Sequence, residues 1–177
     1  YVAASDLQVI DISDPQFPQV VGIVETPGIA ETISVFGGLA CVANATNDNG
    51  GSLSVVDISN PTLPQILSSV ETPERILDVA ISGDLAWIVT GQNLSAMNIS
   101  NPANPQIESD LALANLTCLA TLGSYAYVAG RWGFSSGGLY VVDISDPQNL
   151  QVVGSIGDLG APPNSIVLEG GLAYLLS

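Results

Sequence analysis

"VVDISDP" at residues 141–147 decides how the rest of this chain is read. Near-copies stand at 9–15 ("VIDISDP"), 55–61 ("VVDISNP") and 96–102 ("AMNISNP"). The Val-Val-Asp-Ile part fits a β-strand by composition and two-residue periodicity. The Ser-Asp-Pro part stops it. An Asx side chain bonds the backbone of its own turn, while proline lacks an N–H and restrains the residue before it. The third copy carries Asn98 and Asn101 where the others carry acids or mixed Asp/Asn. A turn accepts Asn for Asp, but a carboxylate metal site is weakened by it. The motif is therefore read as the punctuation of a repeated structural unit, with Asp11, Asp57 and Asp143 shaping bends and Ile12, Ile58, Ile99 and Ile144 plugging the core.

Outward from the motif, a second element recurs as "LACVA" (39–43), "LAWIV" (85–89), "YAYVA" (125–129) and "LAYLL" (172–176). Its central residue falls at Cys41, Trp87, Tyr127 and Tyr174, with Tyr1 as the tail of the same element, so the spacings are 40, 46, 40 and 47 residues. Repeats of that length are characteristic of arrays and propellers. Each unit reads as four short strands. A strand such as "ISVF" (33–36) leads through a Gly-containing two-residue turn into the "LAYV" element. The Leu-x-Val-Val-Asp-Ile strand follows, and a post-proline strand such as "QVVGIVE" (19–25) closes the unit. No helical period is visible. The expected fold is all-β, a β-propeller of four four-stranded repeats, as a four-bladed ring or a segment of a larger propeller. The repeats fall at about 1–38, 39–84, 85–124 and 125–171, with a partial fifth at 172–177, in one domain spanning 1–177.

The strings "GLYVVDISDP", "LQVIDISDP", "VAISGDLAWIV" and "TLGSYAYVA" resemble LVIVD repeats. The resemblance covers essentially the whole chain. It implies β-propellers of secreted or surface-associated bacterial and archaeal proteins and carries no catalytic residues with it.

Composition narrows the chemistry. Of 177 residues, 47% are hydrophobic and 11% charged, a globular balance. Seventeen acids face two bases, Arg75 and Arg131, for a net charge of −15. Such a surface repels nucleic acid and anionic lipid. Without histidine there is no Ser-His-Asp triad, no Cys-His pair and no ordinary zinc site. Cys41 and Cys118 occupy different slots of different repeats, so no disulfide between them is expected, and both read as small buried apolar residues. No metal or other cofactor is expected. The opening Tyr1-Val2-Ala3 reads as the inside of a strand, as in a window cut from a longer chain.

Two insertions, 44–52 and 130–138, break the repeat and map to one face, where variable loops on a rigid scaffold tend to carry function. "GRWGFSSGG" concentrates Arg131, Trp132 and Phe134, residue types suited to stacking on glycans or peptides. "NATNDNGGS" offers oxygens but one acid, Asp48, and lacks calcium-loop spacing. The sequons at Asn44, Asn93 and Asn115 map to the same face as candidate glycan acceptors; the one at Asn98 is a by-product of the turn motif. Glu31 and Asp78 fall near the expected channel, read as turn-bonded or solvated. The expected function is a non-catalytic extracellular or cell-surface repeat module, structural or protein-interacting. Its expected partners are proteins, or copies of itself joined through terminal strands. The alternative is a glycan- or peptide-binding propeller using 130–138. Neither reading includes nucleic acid or membrane insertion.

Overall fold

The computed structural model describes residues 6–46, 49–132 and 136–177. They form sixteen antiparallel strands in five sheets and no helix. Three sheets have four strands in sequence order. The first contains β3 (Ile29–Phe36), β4 (Leu39–Ala45), β5 (Gly51–Asp57) and β6 (Gln65–Thr72). The second contains β7 (Asp78–Ser82), β8 (Leu85–Val89), β9 (Asn93–Asn98) and β10 (Gln106–Ala112). The third contains β11 (Leu116–Leu122), β12 (Tyr125–Trp132), β13 (Ser136–Asp143) and β14 (Gln151–Ile156). Two-stranded sheets flank them: β1 (Asp6–Asp11) with β2 (Gln19–Glu25), and β15 (Ser165–Glu169) with β16 (Leu172–Leu176). The first strands β3, β7, β11 and β15 pack successively against one another, so the sheets radiate from a common axis as propeller blades. The repeat as cut in the sequence, 39–84 for example, runs from the second strand of one blade to the first strand of the next.

The turns follow the chemistry of the opening motif. The inner hairpins place Gly37, Gly83, Gly123 and Gly170 at φ of 60°, 61°, 59° and 56°, a conformation that L side chains avoid. The Oδ1 atoms of Asp11, Asp57, Asn98 and Asp143 each accept the backbone N–H two residues on, at 2.9 Å. The second Asx residue then closes the turn: the N–H groups of Phe17, Leu63, Asn104 and Asn149 reach the carbonyls of Asp14, Asn60, Asn101 and Asp146 at 2.9–3.1 Å. Asn98 and Asn101 make the same turn as their acidic counterparts, as the tolerance argument requires. Asp57→Asn should therefore lower the calorimetric unfolding temperature less than Asp57→Ala does; an equal loss in both would show that charge, not the accepted hydrogen bond, holds the turn.

The core lies between sheets. Cys41, Leu53 and Val55 of the first blade meet Val79, Ile88 and Met97 of the second. Trp87, Val89 and Leu94 of the second meet Leu116, Leu119 and Val128 of the third. Ile99 and Ile144 are buried, but Ile12 is 73% exposed, because the face of its sheet turned away from the first blade is uncovered among the described residues. Cys41 and Cys118 are free and buried, and burial pushes the Cys41 thiol up to about 12.

A bulge recurs in every outer strand. One extra residue, Val21, Leu67, Glu108 or Val153, interrupts the pairing of the third and fourth strands at the same slot. A bulge adds local twist and re-aims the residue after it. In the two central cases that residue reaches the proline turn of the next blade: Ser68 Oγ donates to the Pro102 carbonyl at 2.6 Å, and Ser109 Oγ to the Pro147 carbonyl at 2.5 Å. Gly22 holds the same slot so close to Pro61 that a Cβ would stand 2.1 Å from the Pro61 oxygen. Gly154, the fourth member, would meet only Val141 of its own sheet.

Candidate functional site

The strand order gives the propeller two faces. The inner hairpins and the Asp-Ile-Ser-Asp-Pro turns share one, here called the turn face. The connections from second to third strand and from blade to blade share the other, the loop face, which carries both insertions.

On the loop face, Trp132 ends β12 and lies against its own blade. Its ring stacks on Tyr140 with centroids 4.9 Å apart and planes 18° from parallel. Two glycines make room for it. A Cβ at Gly138 would stand 2.1 Å from Trp132 Cε3, and one at Gly157 would stand 3.3 Å from Cδ2 and Cε2. The ring is half-buried and Arg131 beside it is exposed. Phe134 lies outside the described residues, as does Asp48.

The sequons part company. Asn44 is fully buried, and its Nδ2 reaches the Val42 carbonyl at 3.2 Å and Ser54 Oγ at 3.0 Å, with Ser52 at 3.4 Å. That amide nitrogen faces into the blade, so the folded chain has no room for a glycan there; the expectation for Asn44 is corrected on that ground. The signal was the apolar run of β4, buried on both faces, which continues through Asn44. Asn93 is half-buried at the start of β9. Asn115 is exposed in a tight turn at φ 61°, its N–H on the Gly91 carbonyl at 2.7 Å and its own carbonyl accepting Arg131 N–H at 2.8 Å.

Glu31 and Asp78 do not pair with each other. Glu31 pairs with Arg75, whose Nε donates to Oε2 at 2.6 Å and whose second nitrogen meets Oε1. This ion pair ties the first blade to the connection that follows it. Asp78 stitches three blades. Its Oδ1 accepts Thr32 Oγ1 at 3.2 Å and its own neighbour Val79 N–H at 2.9 Å; its Oδ2 accepts Leu119 N–H at 2.8 Å. Burial raises the Asp78 carboxyl above its ordinary value, and the donations from Leu119, Val79 and Thr32 oppose that rise. The sequence showed Asp78 as an acid near the axis but not as a clasp, since its partners lie 46 and 41 residues away.

The turn-face acids behave oppositely. The Ser13 backbone N–H, then its hydroxyl, holds Asp11 below the usual carboxylate range; the Ser59 and Ser145 hydroxyls, then their N–H groups, do the same for Asp57 and Asp143. Among the described residues no three His, Cys, Asp or Glu side chains gather to hold a metal ion. A polar depression beside the first insertion is lined by Thr46, Gly50, Gly51, Glu71, Thr72 and Pro73.

With this geometry in hand, the comparisons are specific about architecture. No curated protein matches the sequence. A crystal structure of a protein from Lactobacillus plantarum is similar over 91% of this chain, with a TM-score of 0.65 and 12% sequence identity. The chain spans about half of that protein, 52% of its length. At that identity the likeness concerns the fold alone. The LVIVD repeat matches four times, at residues 1–26, 27–72, 76–111 and 118–158, boundaries that follow the sheets described above. This chain belongs to the LVIVD repeat family.

Proposed function

We propose that this chain is a non-catalytic β-propeller module of the cell exterior, with a structural or protein-interaction role. The observation that carries the reading is where the repeated acids are spent. Asp11, Asp57 and Asp143, with Asn98 in the same slot, all accept backbone N–H groups of their own turns. Of the inner acids, Asp78 holds blades together and Glu31 pairs with Arg75. A repeat that commits its polar groups to scaffold work offers surfaces, not a reaction centre.

The same reading extends to ring closure. The sheet β1–β2 supplies third and fourth strands, and β15–β16 supplies first and second strands. Tyr174 and Leu176 are 55% and 66% exposed, although their slots are filled by Cys41, Trp87, Ala43, Val89 and Ala129 at 0–1% in the complete blades. Exposed apolar surface of this kind calls for a covering sheet, and joining strands hides two edges at once. The complete blades pair Cys41 with Val55, Trp87 with Ala96 and Tyr127 with Val141. The same register sets Tyr174 opposite Val9.

Cysteines at Val9 and Tyr174, placed in a chain whose Cys41 and Cys118 are replaced by alanine, test this. A disulfide between two copies supports self-association through terminal strands. One within a single copy supports a four-bladed ring. No disulfide under oxidation counts against both and leaves the strands to pair with other parts of a longer protein.

A second reading is a glycan or peptide site at Arg131 and Trp132. It is favoured by the ring of Trp132 being held rigid against Tyr140, with the exposed Arg131 preceding it in the strand. Glycan-array binding that disappears in Trp132→Ala while the fold persists supports it; an array without signal removes it.

A further inference from the structure

We infer that the turn face is a docking surface for a basic, amphipathic polypeptide segment. The inference rests on the reading of the chain as an interaction module and names which face is used and what it takes. The positions flanking the inner hairpin turns pair in register as Phe36–Leu39, Ser82–Leu85, Leu122–Tyr125 and Glu169–Leu172. These are strand ends at the mouth of the axis, where folding alone favours polar residues. Six of those eight positions are apolar all the same. Phe36, Leu122 and Tyr125 are 55%, 52% and 41% exposed. β3 packs on β7, and β11 on both β7 and β15, so Phe36 and Leu122 stay exposed beside inner strands that are present. Leu63, on the proline turn of the first blade, adds an apolar side chain 60% exposed on the outer part of the same face.

Between these side chains the face carries acids and no base. Asp84 and Glu169 belong to the hairpins, and Asp11, Asp14, Asp57, Asp143 and Asp146 to the proline turns. Both arginines of the chain are elsewhere: Arg75 lies in the connection after β6 and Arg131 near the far end of β12, each on the loop face. Scattered apolar residues on a surface are ordinary, but apolar side chains on successive hairpins of one face, set among charges of one sign, make a recognition pattern. Aromatic and large aliphatic side chains supply the buried contacts of such a surface, and the carboxylates select the partner's sign and speed its arrival. The sign excludes nucleic acid and anionic lipid and leaves a segment in which Lys or Arg alternates with apolar residues.

The probe is a synthetic amphipathic Lys/Leu peptide, titrated into the isotope-labelled chain and followed by backbone amide shifts, with a Glu/Leu peptide of equal length as control. Shifts are expected around residues 36–39, 82–85, 122–125 and 169–172, only with the Lys/Leu peptide, and weaker as salt rises. The exposed-site variant Phe36→Ser with Leu122→Ser is expected to weaken binding by about tenfold. Asp84→Lys with Glu169→Lys, which alters no core contact, is expected to do the same and keeps the test valid if the first variant unfolds. Glu25→Gln, exposed at the loop-face end of β2, should leave binding unchanged. Shifts centred on the loop face, equal binding of both peptides, or full affinity in the Lys variant would overturn the proposal. None of those outcomes bears on the strand-pairing reading, which the engineered disulfide decides separately.

Discussion

Trp87→Ala is expected to cost about 4 kcal/mol of stability, the largest loss for any single truncation in the second blade. Trp87 is 1% exposed and fills the seam between the second and third blades, against Leu116, Leu119 and Val128. Removing it takes away both the buried area and the packing that holds two sheets in register. Among the described residues, however, the buried indole N–H has no hydrogen-bond partner. Such a group costs about 1–3 kcal/mol in an apolar site. Trp87→Phe should therefore fall within about 1 kcal/mol of the parent, because the smaller ring loses contacts but no longer buries an orphan donor. Urea unfolding of both variants measures the pair. If Phe is as damaging as Ala, shape alone governs the seam and the N–H has no energetic weight.

Asp78→Ala should cost about 3 kcal/mol, because it strips acceptors from two backbone N–H groups and one hydroxyl on three different blades. Asp78→Asn is not a neutral swap. All three partners donate, and an amide offers one acceptor atom where the carboxylate offers two. The pH dependence separates charge from geometry. Burial leads in raising the Asp78 carboxyl above 3.8, so the folded chain holds that proton more tightly than the unfolded chain does. Its contribution to stability is then full below the unfolded value and is lost as pH rises through the folded one. The stability gap between the parent and Asp78→Asn should be widest near pH 3–4 and narrow toward neutrality. The turn acids are common to both proteins and cancel. A gap that widens with pH would mean that the three donated hydrogen bonds outweigh desolvation and that the carboxylate prefers its charge here.

The two residues differ in how visible they were beforehand. Trp87 stands at the centre of "LAWIV", in a slot otherwise held by Cys41, Tyr127 and Tyr174, and its place in a second strand followed from that pattern. Asp78 was visible only as an acid at the start of a first strand. Its three partners come from blades that meet only when the sheets are arranged about the axis. Trp132 shows the same limit. Its residue type suggested a binding ring, but the two glycines that let it lie on its own blade are 6 and 25 residues further along the chain. Asn44 was a sequon by spelling and part of a strand buried on both faces; local pattern alone could not rank the two.

The sequence by itself determined the period, the four-stranded unit and the turns, because those depend on short-range chemistry: glycine at positive φ, Asx oxygens two residues from their donors, proline without an N–H. It also determined that histidine-based chemistry is absent. The tertiary structure alone decided the recurring bulge at Val21, Leu67, Glu108 and Val153, the serine and glycine contacts it aims at the next blade's proline turn, and the three-blade grip of Asp78. It also separated a turn face of acids and apolar hairpin flanks from a loop face that holds both arginines. Those features are set by sheet twist and by the packing of strands tens of residues apart, and a pattern read along one chain contains neither.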